Sequence, residues 1–329
     1  MTKAPRAHGG PDAQGWVQHD FSTNANACGP CPQALAAVQA ADPTRYPDPA
    51  YTALRESLAT HHRVASARIV CAASASEFIF RITAWAARQG VLNVWLPTHG
   101  YGDYAHAAQA WGLDAAARPG GASLAWACDP SSPLGTEQPD LQARAASGRL
   151  AVLDRAYEPL RLDAALALEP GQLERLWQLW TPNKALGLTG VRAAYAIAPA
   201  DSQDIRAGIE ALAPSWPLGS HGVAMLQAWC EPAVQQWLAT SRATLREWKD
   251  RQAGLCQALG WSVMSSHANF FVCRTGFDAA ALTQLLARLR GHGIKLRDCA
   301  SFGLPGHLRL GVRPPASQDA LRQAMESLR

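Results

Sequence analysis

The chain has 329 residues, 48% of them hydrophobic, enough to bury one large core or two ordinary ones. Charged residues make up 17%, below the usual share, and the formal net charge of +4 includes no Lys/Arg run of the kind that marks a nucleic-acid footprint. The opening MTKAPRAHGGPDAQG lacks the apolar stretch of a secretory signal, and no apolar run reaches the ~18 residues of a membrane helix, so neither nucleic acid nor membrane is an expected partner and the cytoplasm is the expected location.

The first 30 residues are rich in Gly, Pro, Asn and Asp and read as an irregular arm. Within it, Cys28-Gly29-Pro30-Cys31 has redox-motif spacing. A redox site would need a buried strand just before it, and the preceding Ser22–Ala27 is polar and turn-forming. The eight cysteines are otherwise scattered, and none pairs with a second Cys/His group at zinc-site spacing.

Helices are predicted over Pro32–Ala41 and Tyr51–His62, the latter with Leu54 and Leu58 on one face. Strand-like and helical runs then alternate. Ala67–Ala72, Gly90–Leu96, Ser123–Cys128, Leu150–Asp154 and Ala193–Ala198 read as strands, Glu77–Gln89 and Tyr104–Trp111 as helices, and Glu174–Trp180 leads into a Gly-rich segment. Such alternation implies an α/β fold with a mostly parallel sheet covered by helices on both faces. From about Pro214 the texture changes. Gly222–Leu259 is helical with a break at Glu231-Pro232, and Asp278–Arg290 is a further helix. Ser262–Met264, Asn269–Cys273, Ile294–Arg297 and His307–Val312 are short strands, giving a smaller α+β unit. The expected organisation is an arm over residues 1–30 that packs with the small domain, a large domain over 31–213 and a small domain over 214–329.

Ligands of α/β sheets bind beyond the carboxyl ends of the strands, so chemistry is sought in the loops there. In Thr181-Pro182-Asn183-Lys184-Ala185-Leu186-Gly187-Leu188-Thr189-Gly190-Val191-Arg192 a lysine lies among small and apolar residues. Desolvation keeps such an amine neutral often enough to attack a carbonyl. Arg192 offers a fixed fork for a phosphate, although a surface lysine in a Gly-rich loop reads the same way. Asp154 ends a strand with Tyr157 three residues on. A carboxylate there can pair with a protonated pyridine nitrogen or can simply cap the next helix.

Taken together, Asp154 and Tyr157, then Lys184 and Arg192, then Arg309 resemble the class I/II aminotransferase superfamily of pyridoxal 5'-phosphate (PLP) enzymes, fold type I, over essentially the whole chain. At the ends, His8-Gly9-Gly10, Asp20–Asn26, Gly29-Pro30, Arg45–Pro49 and Ile294–Arg309 are similar to the threonine-phosphate decarboxylase family of cobalamin biosynthesis. The resemblance implies a cofactor lysine at Lys184, with Asp154 on the pyridine nitrogen and Tyr157 on the ring hydroxyl. Tyr101 would stack on the ring. Ala75 and Ser76 at a helix start, with Thr181 and Arg192, would hold the phosphate. Tyr46 would reach the neighbouring subunit's cofactor in a homodimer. His8, Asn24 or Asn26, Arg297 and Arg309 would anchor a substrate with two anionic groups. Three positions depart from the family pattern: Ser132 stands for an asparagine, Ser74 for a glycine and Asn183 for Ser or Thr. The implied activity is decarboxylation of O-phospho-L-threonine to aminopropanol phosphate. The alternatives are transamination of a phosphorylated substrate such as histidinol phosphate, or non-catalytic PLP binding.

Overall fold

The computed structural model describes residues 9–116, 123–138, 140–146 and 150–328. Its strands are β1 (His19–Asp20), β2 (Ile69–Ala72), β3 (Asn93–Trp95), β4 (Asp114–Ala115), β5 (Leu124–Cys128), β6 (Leu150–Asp154), β7 (Trp177–Trp180), β8 (Ala194–Ile197), β9 (Ser262–Val263), β10 (Phe270–Arg274), β11 (Ile294–Lys295), β12 (Arg297–Asp298) and β13 (His307–Gly311). The helices are α1 (Pro32–Gln39), α2 (Thr52–His62), α3 (Ala75–Arg88), α4 (Gly102–Ala110), α5 (Leu141–Ala146), α6 (Pro170–Leu173), α7 (Gln203–Glu210), α8 (Ser220–Trp229), α9 (Pro232–Ala258), α10 (Ala279–Gly291) and α11 (Pro315–Ser327).

Seven strands form one sheet in the order β2-β8-β7-β6-β5-β3-β4. All run parallel except β8, which is antiparallel to both neighbours. The central β5, β6 and β7 are apolar runs buried on both faces except for the half-buried Leu150, as a helix-covered parallel sheet requires. This is the mostly parallel, helix-covered sheet expected from the alternation of elements, and it is the fold type I architecture that the resemblance implies. A second, antiparallel sheet has the order β12-β13-β10-β9, backed by the long α9 and by α10 and α11. Pro232 at the first turn of α9 explains the predicted helix break, because proline there lacks only an amide that would have no helical partner.

Two local results refine the sequence reading. The run Ile294–Arg297, expected as one strand, is split at Leu296. Its first half pairs in parallel with β1 of the arm, and its second half pairs with β13. The short strands β1 and β4 and the helices α5, α6, α7 and α11 were not predicted; polar composition or short length hides their periodicity.

The Gly-rich stretch after Lys184 has a steric reason. Gly187 has φ +69°, and a Cβ there would stand 3.0 Å from the Pro30 Cα, so only glycine lets this turn lie against the Gly29-Pro30 backbone. Cys31 N donates to Leu186 O (2.8 Å) across the same contact. Gly187→Ala should therefore destabilise the fold by about 1–3 kcal/mol, read as a lower urea midpoint; an unchanged midpoint would contradict this packing.

Candidate active site

A cavity of ≈ 760 Å³ lies beyond the carboxyl ends of β5, β6 and β7. Ala75, Ser76, Tyr101, Ser132, Asp154, Tyr157, Thr181, Lys184, Arg192, Asn24, Arg297 and Arg309 all line it. Sequence separations of more than 200 residues are thus closed by the fold at one place, where the arm, the large sheet and the small sheet meet.

One wall is the start of α3. Ser74 caps it: its hydroxyl accepts from Glu77 N (3.0 Å), while Glu77 Oε2 accepts from Ala73 N (3.1 Å). The pair resembles a capping box, and such a cap is worth ~1 kcal/mol. Ser74 has an extended backbone (φ −168°), so this entry needs no glycine. Ala75 and Ser76, the first two residues of α3, line the cavity, and a helix start is a natural anion seat. Ser76 Oγ and Tyr101 OH are 3.0 Å apart, which ties the aromatic wall to this seat, and burial pushes the Tyr101 phenol up to about 12.

Asp154 ends β6 and is fully buried. Desolvation raises its carboxyl pKa; hydrogen bonds from Tyr104 OH to Oδ2 (2.6 Å) and from Ala156 N to Oδ1 (2.9 Å) oppose that shift, as does the charge of Lys184. Tyr104 was not anticipated. Its ring stacks on Trp126 at 4.7 Å, and burial holds its own phenol protonated, so it remains a donor. The available signal was spacing: Tyr104 lies about one helical turn beyond Tyr101.

Lys184 Nζ stands 5.2 Å from the centre of the Tyr157 ring. Asn24 Nδ2 donates to Tyr157 OH (3.1 Å). Thr181 Oγ1 donates to Asn183 Oδ1 (3.0 Å), so Asn183 serves the lysine segment from within. Of the two candidate asparagines only Asn24 lines the cavity. Asn26 is used structurally: its Nδ2 donates to Ala185 O (3.0 Å), its Oδ1 accepts from Cys28 N (3.0 Å), and its amide donates to Lys184 O (2.9 Å). It therefore braces the lysine turn, and it does not line the cavity. His8 lies outside the described residues. Tyr46 is not in the cavity wall; it is exposed and stacks on Trp216 at 4.5 Å. Burial pushes the Cys28 thiol up, away from the thiolate a redox motif needs.

Another part of the lining is cationic. Arg297 and Arg309 are register partners on β12 and β13. Both guanidiniums pack against the Phe302 ring, at 4.9 and 5.7 Å from its centre. Arg309 donates to Ser22 O (3.0 Å) and makes a long contact with Ser132 Oγ (3.4 Å); Arg297 donates to Ser301 Oγ (2.7 Å). Phe302 and Ser301 lie in the Ile294–Arg309 segment that carries the family resemblance, but neither was given a role of its own from the sequence. Gly9 and Gly10 close the cavity from the arm. A Cβ on Gly9 would lie 2.0 Å from Ser22 O, so the arm rests directly on the backbone that orients Arg309.

The sequence pattern of the family described as aminotransferase class I and II matches residues 115–328. The chain belongs to that family. It is 27% identical to histidinol-phosphate aminotransferase of Symbiobacterium thermophilum over 344 residues, covering 94% of this chain and 91% of the relative. By fold it is similar to histidinol-phosphate aminotransferase from Sinorhizobium meliloti, solved in complex with pyridoxal-5'-phosphate (TM-score 0.78, 22% identity, 96% and 93% of the two chains). It is also similar to L-threonine-O-3-phosphate decarboxylase from Porphyromonas gingivalis (TM-score 0.70, 21% identity, 89% and 92%). PLP is the cofactor. The site suits it: an amine, a buried carboxylate and an anion seat converge on one cavity. Asn24 Oδ1 and Arg309 Nε are buried without a hydrogen-bond partner among the described residues, and both residues line that cavity.

Tyr104→Phe should keep the ring stack on Trp126 and retain PLP. Losing a donor to its charged form raises the Asp154 pKa further, so the acidic limb of the pH–rate profile moves to higher pH. Nitrogen-15 NMR of labelled PLP reads the same change at the pyridine nitrogen; an unaltered titration would show that the hydrogen bond is inert.

Proposed function

We propose that the chain is a PLP-dependent aminotransferase of a phosphorylated amine of the histidinol phosphate kind. The observation that carries this reading is the cationic wall. Arg297 and Arg309 are cross-strand neighbours that line the cavity, and together they suit a dianionic phosphate or adjacent phosphate and carboxylate groups. Identity to histidinol-phosphate aminotransferases over 94% of the chain supports transamination.

PLP supplies the electron sink for the bond broken at the substrate's α-carbon. In this reading Lys184 carries the cofactor and moves the proton at that carbon. Asp154 keeps the pyridine nitrogen protonated. Tyr157 and Ser132 address the ring oxygen, and Tyr101 covers the ring. Ala75, Ser76, Thr181 and Arg192 hold the phosphate group. Residues 31–213 form the cofactor-binding domain and 214–329 the smaller domain, with the arm closing over the substrate.

A second reading, decarboxylation of O-phosphothreonine, is favoured by a specific observation. The chain-end segments that resemble the decarboxylase family come together at the cavity: Gly9 and Gly10, Ser22 to Asn24, and Arg297, Ser301, Phe302 and Arg309 all line it. The reaction chosen depends on which α-carbon bond these anchors hold perpendicular to the ring. The PLP-loaded protein should transfer the amine of histidinol phosphate to a 2-oxo acid. Carbon dioxide released from O-phosphothreonine with no amine transfer would instead establish the second reading.

In either case the phosphate is recognised by the cationic wall. Arg297→Ala should lower kcat/KM for the phosphorylated substrate by about tenfold to a hundredfold, the loss of one charge-assisted contact of ~1.5–3 kcal/mol. The dephosphorylated analogue should be little affected, and equal losses on both compounds would remove Arg297 from the phosphate site.

We also propose a homodimer. Tyr46 is 78% exposed on Trp216, a large aromatic surface suited to a partner's pocket, and two-fold dimers are the commonest assemblies. Sedimentation should give a dimer at micromolar concentration; a fully active monomer would refute it.

A further inference from the structure

Behind the cavity, out of reach of any ligand, lies a chain of four charges: Asp129, Arg161, Glu158 and Arg155. Arg161 uses its fork twice. Its Nη2 pairs with Asp129 Oδ1, and its Nε pairs with Glu158 Oε2 at 2.8 Å. Glu158 Oε1 then meets Arg155 Nη2 at 3.2 Å. Arg155 donates from Nη1 to Gln178 Oε1 (3.1 Å), and its guanidinium lies 4.3 Å above the Trp180 ring. The second oxygen of Asp129 accepts from Gln138 N (2.9 Å). Asp129, Arg155 and Arg161 are buried, and none of the four charged residues lines the cavity.

The path of this chain is informative. Asp129 follows β5 and stands three residues before Ser132. Arg155 and Glu158 follow β6 and bracket Tyr157 from both sides. Gln178 and Trp180 belong to β7, which delivers Thr181 and Lys184. At the ends of the three adjacent parallel strands the backbone ladder closes with Asp129 N on Asp154 O and Arg155 N on Leu179 O, and beyond it parallel strand ends share no hairpin. The charge chain links them from behind.

Stability does not explain it. Buried ion pairs are often no better than a well-packed apolar core, because each charge has to leave water. What a fork-to-carboxylate contact adds is fixed direction.

We propose that this buried charge chain is a positioning device for the cofactor site, and that Arg161, through Asp129 and Glu158, sets the place of Ser132 and Tyr157 relative to Lys184. Arg161 is a positioning residue, because it touches neither cofactor nor substrate. The inference rests on PLP binding and on no choice between the two reactions.

The test uses the PLP-loaded enzyme without substrate, whose cofactor absorbance band changes with pH as the groups around the ring titrate. Arg161→Lys keeps the charge and loses the fork; Asp129→Asn keeps the shape and loses the charge. Each should move the midpoint of the band by about 0.5–1 pH unit, a three- to tenfold change in proton affinity, and should speed PLP loss on dialysis. Leu289→Ala, a core truncation on α10, serves as the stability control: it should lower the melting temperature and leave the midpoint where it is. Midpoints in Arg161→Lys and Asp129→Asn no different from that control would reduce the charge chain to a structural feature and overturn the proposal. If neither single variant takes up PLP, the pair Asp129→Asn with Arg161→Gln, which removes both charges together, is read in the same way. A native midpoint in that double variant overturns the proposal, and a shifted one supports it.

Discussion

Asp154 is a carboxylate held without water at the end of the middle strand of a seven-stranded sheet. Burial alone would neutralise it, and neutrality would remove its use as a partner for a cationic ring nitrogen. Much of the neighbouring structure answers that one constraint. The β6 register places Asp154 opposite Cys128 and Leu179, α4 brings in the Tyr104 hydroxyl, and the turn after β6 points the Ala156 amide back at it. Trp126 then fixes the Tyr104 ring by stacking. The carboxylate is thus oriented by two donors that do not titrate in any ordinary pH range, and the cavity is built outward from it.

The other half of the site is assembled on a different sheet. Arg297 and Arg309 owe their proximity to antiparallel pairing, which brings residues 12 apart in sequence side by side, and Phe302 stands against both. Like charges so placed repel, and burial, with Arg309 adding to it, weakens the proton's hold on Arg297. That arrangement persists at a cost, which an anionic ligand would relieve. Asp154, Thr181 and Lys184 are carried at or just beyond the large sheet's strand ends and Arg297 and Arg309 on the small sheet, so in the proposed reading the cofactor site and the choice of substrate can vary separately.

How far this was legible in the sequence follows from what the signals are made of. Lys184, Asp154, Tyr157 and Arg192 read singly as a loop lysine or a helix cap as well as a site, and their joint order along the chain carries the reading, while the apolar strands β5 and β6 announce the central sheet. Tyr104 and Phe302 carry no such mark, because their roles arise from contacts with Asp154, Arg297 and Arg309, which only the fold brings near. Asn24 and Asn26 look alike in sequence, yet backbone direction sends one into the cavity and spends the other on the lysine turn. Asp129, Arg155, Glu158 and Arg161 read as ordinary surface charges in loops, and only the shared ends of three strands turn them into one buried network.

The outer part of the arm, at Gly10 and Asp12, is fastened by ion pairs, whereas the pairing of β1 with β11 and the buried Phe21 hold its inner part. Asp12 is clasped by Arg290 (2.8 Å) and Lys295 (2.5 Å), which hold its carboxyl below the usual range, and Lys295 also donates to Gly10 O (2.5 Å), next to the Gly9 contact on Ser22. These pairs are solvent-facing, and dissolved ions screen such attractions over about 8 Å at physiological strength. Ionic strength thereby becomes a second hand on the enzyme. In the proposed reading, added salt would weaken the pull of Arg297 and Arg309 on an anionic substrate and also slacken the ion pairs that hold Asp12, so KM is expected to depend on salt more steeply than the charge of the substrate alone would give.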